Sequence, residues 1–329
     1  MGLAAAGCFA PAHLAIGQST RFAGVTHSAG GLALTAGESG KGYRPSPRPS
    51  YEGPTLIRYG EAARHLWGDD EAGRVADLIY LSNMNLHTLV FELPAGGAFT
   101  HSESYPTIFG ADEVMVVLEG EFVLANPETG EVQRASRGEG IFFRKNTWHH
   151  GFNVGQSPVR VLEYFAPPPA TGASGEYART QPYLAKEMWH YGPIEGIPDR
   201  RAEPRGLPAR RTLTKLGEAD LELALLGADR KGLAGYFATT EYLRVGRLEL
   251  NPGAHLTQQS HVGDELVYVD EGSLVVVLYE NTTGQRFELG PRDGMYLPAR
   301  VKHGYQNPNA ERVLAYFGQA PTQIAGPSA

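Results

Sequence analysis

The feature that most constrains this chain is an internal repeat. The segment DEVMVVLEGEFVL at residues 112–124 matches DELVYVDEGSLVV at residues 264–276, an offset of 152 positions. Earlier in each copy, GEA at residues 60–62 matches GEA at residues 217–219, an offset of 157. The first copy therefore carries five extra residues between these blocks, and we place them in SESYPTIFGA. Two tandem copies of one fold explain the pattern, and 329 residues are enough for two ordinary domains.

Each copy is rich in short β-like segments. HTLVFEL, GIFFR and VRVLEYF are dominated by β-branched and aromatic residues and are bounded by Gly, Pro or Asn. NPETGE and ENTTGQ are typical of hairpin turns. The 41 Gly and 23 Pro favour many short elements over long helices. The sequence therefore predicts an all-β sandwich or barrel for each copy.

Composition excludes several classes of partner. The net charge is −7 and no Lys- or Arg-rich run occurs, so we expect no nucleic acid and no anionic membrane surface as partner. No segment resembles a membrane span. A single cysteine, Cys8, rules out an internal disulfide framework and fits a reducing compartment, so we expect a cytoplasmic protein. AAGC at residues 5–8 loosely resembles a lipoprotein processing box, but no basic residue precedes it and the apolar run is too short.

The distribution of residue types predicts the domain boundaries. Residues 1–53 are dominated by Gly, Ala, Ser and Pro, a composition that favours a disordered, dispensable leader. Residues 54–168 form the first predicted barrel and residues 208–320 the second. The segment 169–207 between them is rich in Pro, Gly and charge and is predicted to be a linker, and residues 321–329 form a short tail. We expect the two barrels to be in close contact.

The second copy contains residue types that suit a metal site. Gln259 and His261 are two positions apart, so on a strand both side chains point to the same face. Glu265 lies at the start of the next strand, and His303 lies on a later one. Two imidazoles and one carboxylate suit a divalent first-row metal ion. Gln259 is a weak ligand that could instead hold water or substrate.

The first copy offers a comparable set with a looser alignment. A one-residue bulge at residues 96–97 would bring His101 and Glu103 to an inward face. Only one of the adjacent histidines 149 and 150 can face inward on a strand, and the repeat register selects His149. Glu103 and Tyr105, which lie in the extra loop, are the candidate catalytic residues. The candidate metal ligands of this copy are His101, Glu113 and His149, with Glu103 as a fourth.

These spacings resemble the two sequence motifs of the cupin superfamily. Gly253, Gln259, His261, Glu265 and Gly272 follow the form G-x5-H-x-H-x3,4-E-x6-G and depart from it only at the glutamine. Residues 138–153 and 292–307 are similar to the second motif, G-x5-P-x-G-x2-H-x3-N. The resemblance covers residues 85–165 and 242–318. It implies a bicupin, with two tandem jelly-roll (double-stranded β-helix) barrels, each with a metal position at its motif histidines and glutamate.

The resemblance leaves the reaction open, because a fold does not determine a function. Our leading interpretation is a non-haem Fe²⁺ or Mn²⁺ dioxygenase acting on a small aromatic or enolic substrate, with Zn²⁺, Ni²⁺ and Cu²⁺ as alternative metals. The second is a redox-neutral isomerase or hydrolase in which Glu103 or Glu113 moves protons. The third is a non-catalytic binder of small molecules. The expected partner is a small-molecule substrate, and a homo-oligomer stays open.

Overall fold

β-Strands are the main secondary structure of the described part of the chain. The computed structural model describes residues 46–100, 109–167, 212–279 and 284–322. The predicted all-β class is confirmed, with short 3-10 helices at Tyr59–Glu61 and Glu218–Asp220. The first strands are β1 Thr55–Ile57, β2 Ala63–Asp69, β3 Gly73–Ser82, β4 His87–Leu93, β5 Ala98–Phe99, β6 Asp112–Glu119, β7 Glu121–Asn126, β8 Glu131–Ser136, β9 Gly140–Phe143, β10 His150–Phe152 and β11 Val159–Ala166. The others are β12 Leu213–Leu216, β13 Glu222–Leu226, β14 Gly232–Thr239, β15 Arg244–Leu250, β16 Asp264–Glu271, β17 Leu274–Leu278, β18 Gln285–Leu289, β19 Gly294–Leu297, β20 His303–Gln306 and β21 Val313–Ala320.

Two antiparallel sheets form each barrel. In barrel 1, the seven-stranded sheet β12-β9-β6-β11-β4-β3-β2 packs against the four-stranded sheet β5-β10-β7-β8. In barrel 2, the seven-stranded sheet β1-β19-β16-β21-β15-β14-β13 packs against the three-stranded sheet β18-β17-β20. The interior of each barrel is filled by side chains from both of its sheets, such as Phe91 and Phe122 in barrel 1. The two predicted tandem barrels are therefore present.

The barrels exchange their first strands, which the sequence did not predict. Strand β1 pairs with β19 of barrel 2, with Thr55 opposite Tyr296. Strand β12 pairs with β9 of barrel 1, with Leu213 opposite Phe143. Each short strand completes the sheet of the other copy. The predicted boundaries at residues 54 and 208 therefore follow the sequence repeat and do not separate the two sheets.

A shared core joins the barrels back to back. Along β6, Met115 and Val117 point into barrel 1, whereas Val114 and Val116 alternate to the opposite face and pack against barrel 2. The shared core includes five buried tyrosines, which are Tyr80, Tyr164, Tyr268, Tyr296 and Tyr316. The hydroxyl of Tyr164 donates to the carbonyl of Leu266 at 3.3 Å, and the hydroxyl of Tyr80 donates to the carbonyl of Arg292 at 2.6 Å.

Part of the predicted leader is packed. The carbonyl of Pro49 accepts a 2.7 Å hydrogen bond from the amide of Ser82 in barrel 1. The Tyr51 hydroxyl donates to the carbonyl of Tyr80 at 3.2 Å, and its ring lies 5.9 Å from that of Tyr296. The prediction of disorder is therefore wrong for residues 46–53, because aromatic and backbone contacts hold this segment across both barrels. Residues 1–45, the whole predicted linker at residues 169–207 and residues 323–329 lie outside the described ranges. In the residues that the structure describes, no helix is long and apolar enough to cross a membrane.

Candidate metal centre

Three predicted ligands of the second copy converge inside barrel 2. The side chains of His261, Glu265 and His303 each offer a ligand atom, and these atoms lie within 4.8 Å of one another. Glu265 Oε2 lies 3.4 Å from His261 Nε2 and 3.2 Å from His303 Nε2. Glu265 is the second residue of β16 and His303 is the first residue of β20, so two strands of different sheets bring the groups together.

Neighbouring groups fix the orientation of these ligands. Nδ1 of His303 lies 3.0 Å from the carbonyl of Val301, to which it donates, so Nε2 presents its lone pair to the cluster. The other carboxylate oxygen of Glu265 accepts a 3.2 Å hydrogen bond from Nε2 of Gln319. Gln259 is paired with His303 through the backbone, and its side-chain nitrogen lies 3.3 Å from His303 Nε2. The predicted fourth residue thus borders the cluster.

The cluster fits a divalent cation. Among the described residues, Glu265 Oε2 and His261 Nε2 are buried and have no hydrogen-bond partner, although buried polar atoms are normally paired. Burial would raise the pKa of Glu265, but the neighbouring His303 and then His261 outweigh burial and lower this pKa to about 2. Burial would lower the pKa of His303, but Glu265 outweighs that effect and raises it. A carboxylate facing two imidazole nitrogens is a ligand set that first-row metals accept.

Barrel 1 repeats the frame of the site. Nδ1 of His149 lies 3.0 Å from the carbonyl of Thr147, as in the second copy. Glu113 stands at the start of β6 and its Oε2 is buried without a hydrogen-bond partner. Burial lowers the pKa of His149 to about 4. The predicted residues His101, Glu103 and Tyr105 lie outside the described ranges, so the first ligand set stays a prediction.

Three buried polar residues of barrel 1 were missed by sequence reasoning. Asp77, His87 and Glu163 line a cavity of about 90 Å³, together with His149. Asp77 and Glu163 occupy alternate positions in otherwise apolar strands, in phase with inward residues, and this signal could have revealed them. The other lining residues are Ser46, Arg48, Trp67, Val75, Ile79, Ser82, Leu89, Phe91, Phe99, Phe109, Met115 and Phe165.

The fold and the cluster define a double-barrel β protein with a candidate metal centre in one barrel. Residues 90–165 and 246–317, one segment in each barrel, match the model of the Cupin domain family. The chain therefore carries two cupin domains, as the motif spacing predicted. A comparison with curated protein sequences found no match.

Solved structures share the two-barrel architecture at low sequence identity. A putative glyoxylate-induced protein from Pseudomonas aeruginosa is 16% identical, with a TM-score of 0.58, covering 86% of this chain and 93% of its own. A single-residue mutant of the oxalate decarboxylase OxdC from Bacillus subtilis is 13% identical, with a TM-score of 0.55, covering 84% and 80%. Another structure of that decarboxylase, from work on its Mn(II) centres, is 12% identical, with the same TM-score and coverage. At these identities the likeness concerns the fold.

Proposed function

We propose that the chain is a metal-dependent enzyme for a small-molecule substrate and that His261, Glu265 and His303 hold its divalent ion. The observation that carries this proposal is the convergence of three buried ligand atoms, two of which lack a hydrogen-bond partner in the described part of the chain. A divalent ion bound there would supply Lewis-acid chemistry and open coordination positions for small ligands.

The protein's own residues would set the geometry of such a site. Val301 fixes the ring of His303 through its carbonyl, and Gln319 orients the carboxylate of Glu265. Outer contacts of this kind strengthen metal binding because they hold each ligand atom in its productive direction. The side chain of Gln259 borders the cluster, where it can hold a water or a substrate oxygen. The surrounding apolar core of barrel 2 excludes bulk water.

Two reactions are compatible with this arrangement. The first is an Fe²⁺- or Mn²⁺-dependent dioxygenase reaction on an aromatic or enolic substrate, supported by two histidines and one carboxylate with open positions. The second is redox-neutral chemistry such as decarboxylation or isomerisation of a small carboxylate. Its support is the architecture shared with oxalate decarboxylase, which is an argument by analogy.

Metal analysis of purified variants tests the proposal. Glu265→Gln keeps the shape of the side chain and removes its charge, so we expect metal affinity to fall by more than the about 10–100-fold typical of outer contacts. Glu288→Gln, an exposed carboxylate on β18, is the matched control and should retain wild-type metal content. Unchanged metal content in Glu265→Gln would refute the ligand assignment. Glu113→Gln tests in the same way whether barrel 1 also binds metal.

Gas exchange separates the two reactions. Oxygen uptake with catechols or enediols supports the dioxygenase, whereas CO₂ release from oxalate without net oxygen consumption supports the decarboxylase. Loss of either activity in Glu265→Gln, with retention in Glu288→Gln, would assign the reaction to barrel 2. Metal bound without any turnover across both substrate classes would favour a binding protein.

A further inference from the structure

Asp77 is a buried carboxyl group without a partner among the described residues. It is 8% exposed and lines the cavity of barrel 1. It forms no hydrogen bond or ion pair with any residue of the described ranges. Burying a carboxyl group without compensation is costly, and such groups in native proteins call for an explanation. Burial and the neighbouring Glu163 raise the pKa of Asp77 well above its usual range, which expresses the same cost.

Glu163 adds a second carboxyl group to the same wall. It is 7% exposed and also lines the cavity. Its polar contact among the described residues is with Glu113, another carboxyl group. Neither acid is therefore neutralised by a described cation. The described lining also contains the cationic side chain of Arg48, whose guanidinium donates to the carbonyl of Asn83 at 3.3 Å.

The second copy shows that the fold does not need an acid at position 77. On β3, Asp77 comes directly after the residue that pairs with Glu92. On β14, Ala234 comes directly after the residue that pairs with Glu249. The two glutamates match in the sequence repeat, so Asp77 and Ala234 are equivalent. An alanine fills this position in barrel 2 and is almost fully buried.

Position 163 differs between the copies in the same way. In the first copy, Glu163 pairs with the residue two places after Glu113. In the second copy, Phe317 pairs with the residue two places after Glu265. They are therefore equivalent. In barrel 2 the ring of Phe317 occupies this part of the interior and lies edge-on to Tyr236, with centroids 5.9 Å apart. Barrel 1 has two acids and a cavity where barrel 2 has an alanine and an aromatic ring.

The lack of a third ligand beside the two acids in the described residues favours an organic ligand over a metal ion. Among the described residues, the converging ligand set is that of barrel 2, and no third ligand joins Asp77 and Glu163 at such short range. Two carboxyl groups on one wall suit a ligand with several N–H donors. The ring of His87 stays uncharged, because burial lowers its pKa to about 3, so it does not oppose a cation. Phe91, Phe99 and Phe165 supply aromatic walls that contact a cation favourably.

From these observations we infer that the cavity of barrel 1 binds a small organic cation, a protonated amine whose N–H groups donate to Asp77 and Glu163. The ligand's apolar part lies against the aromatic walls. The cavity volume of about 90 Å³ is smaller than the about 150 Å³ cavity that takes benzene, so the part of the ligand inside the cavity has about six heavy atoms or fewer. This site is separate from the metal cluster of barrel 2 and does not depend on the proposed reaction.

Ligand-observed NMR titration of the full chain tests the inference with two probes of equal shape. Isobutylammonium carries the positive charge, and isobutanol lacks it. We expect the amine to bind to the wild type at least about tenfold more tightly than the alcohol. In Asp77→Asn or Glu163→Gln, this ratio of affinities should fall by about tenfold. Glu128→Gln, an exposed acid in the turn after β7, makes the same charge change and should leave binding within twofold. Equal binding of amine and alcohol, or an unchanged affinity in Asp77→Asn, would overturn the inference.

Two further measurements separate binding from a structural role. Asp77→Ala installs the residue that the second copy uses, and it should raise the melting temperature, because an uncompensated buried acid is removed. If Asp77 had only a structural role, Asp77→Ala would instead lower the melting temperature and leave the preference for the amine unaltered. Glu265→Gln should leave amine binding unchanged. Loss of amine binding in that variant would place the amine in barrel 2 and refute the assignment to barrel 1.

Discussion

Gly318→Ala should test how tightly the two barrels are joined. Gly318 lies on β21 beneath the ring of Tyr164. An added Cβ would lie 2.1 Å from Cδ1, 2.6 Å from Cε1 and 2.8 Å from Cγ of that ring. Tyr164 is fully buried, and its hydroxyl donates to Leu266, so the ring has little space in which to move. Tyr164 in the first copy and Gly318 in the second copy occupy equivalent positions of the repeat. The first copy therefore supplies the aromatic ring, and the second copy supplies the glycine that leaves space for it.

The expected cost follows from the geometry. Overpacking of a dense core costs about 1–3 kcal/mol, and three ring atoms closer than 3.0 Å place this case at the upper end. Displacing the ring also strains the hydroxyl contact, which is worth about 1 kcal/mol. Replacing glycine in a strand recovers about 0.5–1 kcal/mol. Gly318→Ala should therefore lower the free energy of unfolding by about 3 kcal/mol.

Denaturant unfolding measures this cost against a matched control. Gly60→Ala adds the same methyl group where no heavy atom lies within 4 Å, and it should change stability by less than about 1 kcal/mol. Tyr164→Leu removes the colliding ring, so Gly318→Ala should cost about 2 kcal/mol less in that background. If Gly318→Ala were no more destabilising than Gly60→Ala, the tight contact between the barrels would be refuted.

Three further predictions concern the architecture and the cavity. Cutting the chain near Gly192 and expressing the halves separately should give insoluble protein, because β1 and β12 lose their partner strands and the shared core is exposed; two soluble, metal-loaded halves would contradict this. Deleting residues 1–45 should leave the melting temperature within a few degrees, whereas deleting residues 1–53 should lower it further, because the contacts of Pro49 and Tyr51 are lost. The gain in stability of Asp77→Asn over wild type should grow as the pH rises above about 4. The sign of this effect follows from the raised pKa of Asp77 in the folded protein. Above the pKa that Asp77 has in the unfolded state, the unfolded protein binds fewer protons than the folded protein. The wild type therefore loses stability as the pH rises. Urea unfolding at pH 5 and pH 8 measures this, and a constant difference between the two proteins would exclude it.

The repeat was sufficient to predict the fold because each copy carries period-2 strands, turn signals and motif spacing at a constant register. The same motif spacing predicted Glu265 and His303 as metal ligands, and the structure places their side chains together. Strand exchange was not predictable, because β1 and β12 have only three and four residues and no pattern that names a partner. Asp77 and Glu163 were missed because the motifs direct attention to histidines, although both acids keep the inward phase of their strands.

The contrast between the two motif glutamates explains why equivalent positions can serve different chemistry. Glu113 and Glu265 stand at the same place in the repeat and are equally buried, yet their pKa values move in opposite directions. Burial and then Glu163 raise the pKa of Glu113, whereas His303 and His261 outweigh burial and lower the pKa of Glu265 to about 2. The backbone frame is common, so the neighbours alone set the charge. A glutamate that is ionised beside two imidazoles is prepared to hold a metal cation, and a group of acids without a described cation is prepared to accept one from a ligand. The two copies therefore share the frame of the barrel and differ in the charge that equivalent positions of its interior carry.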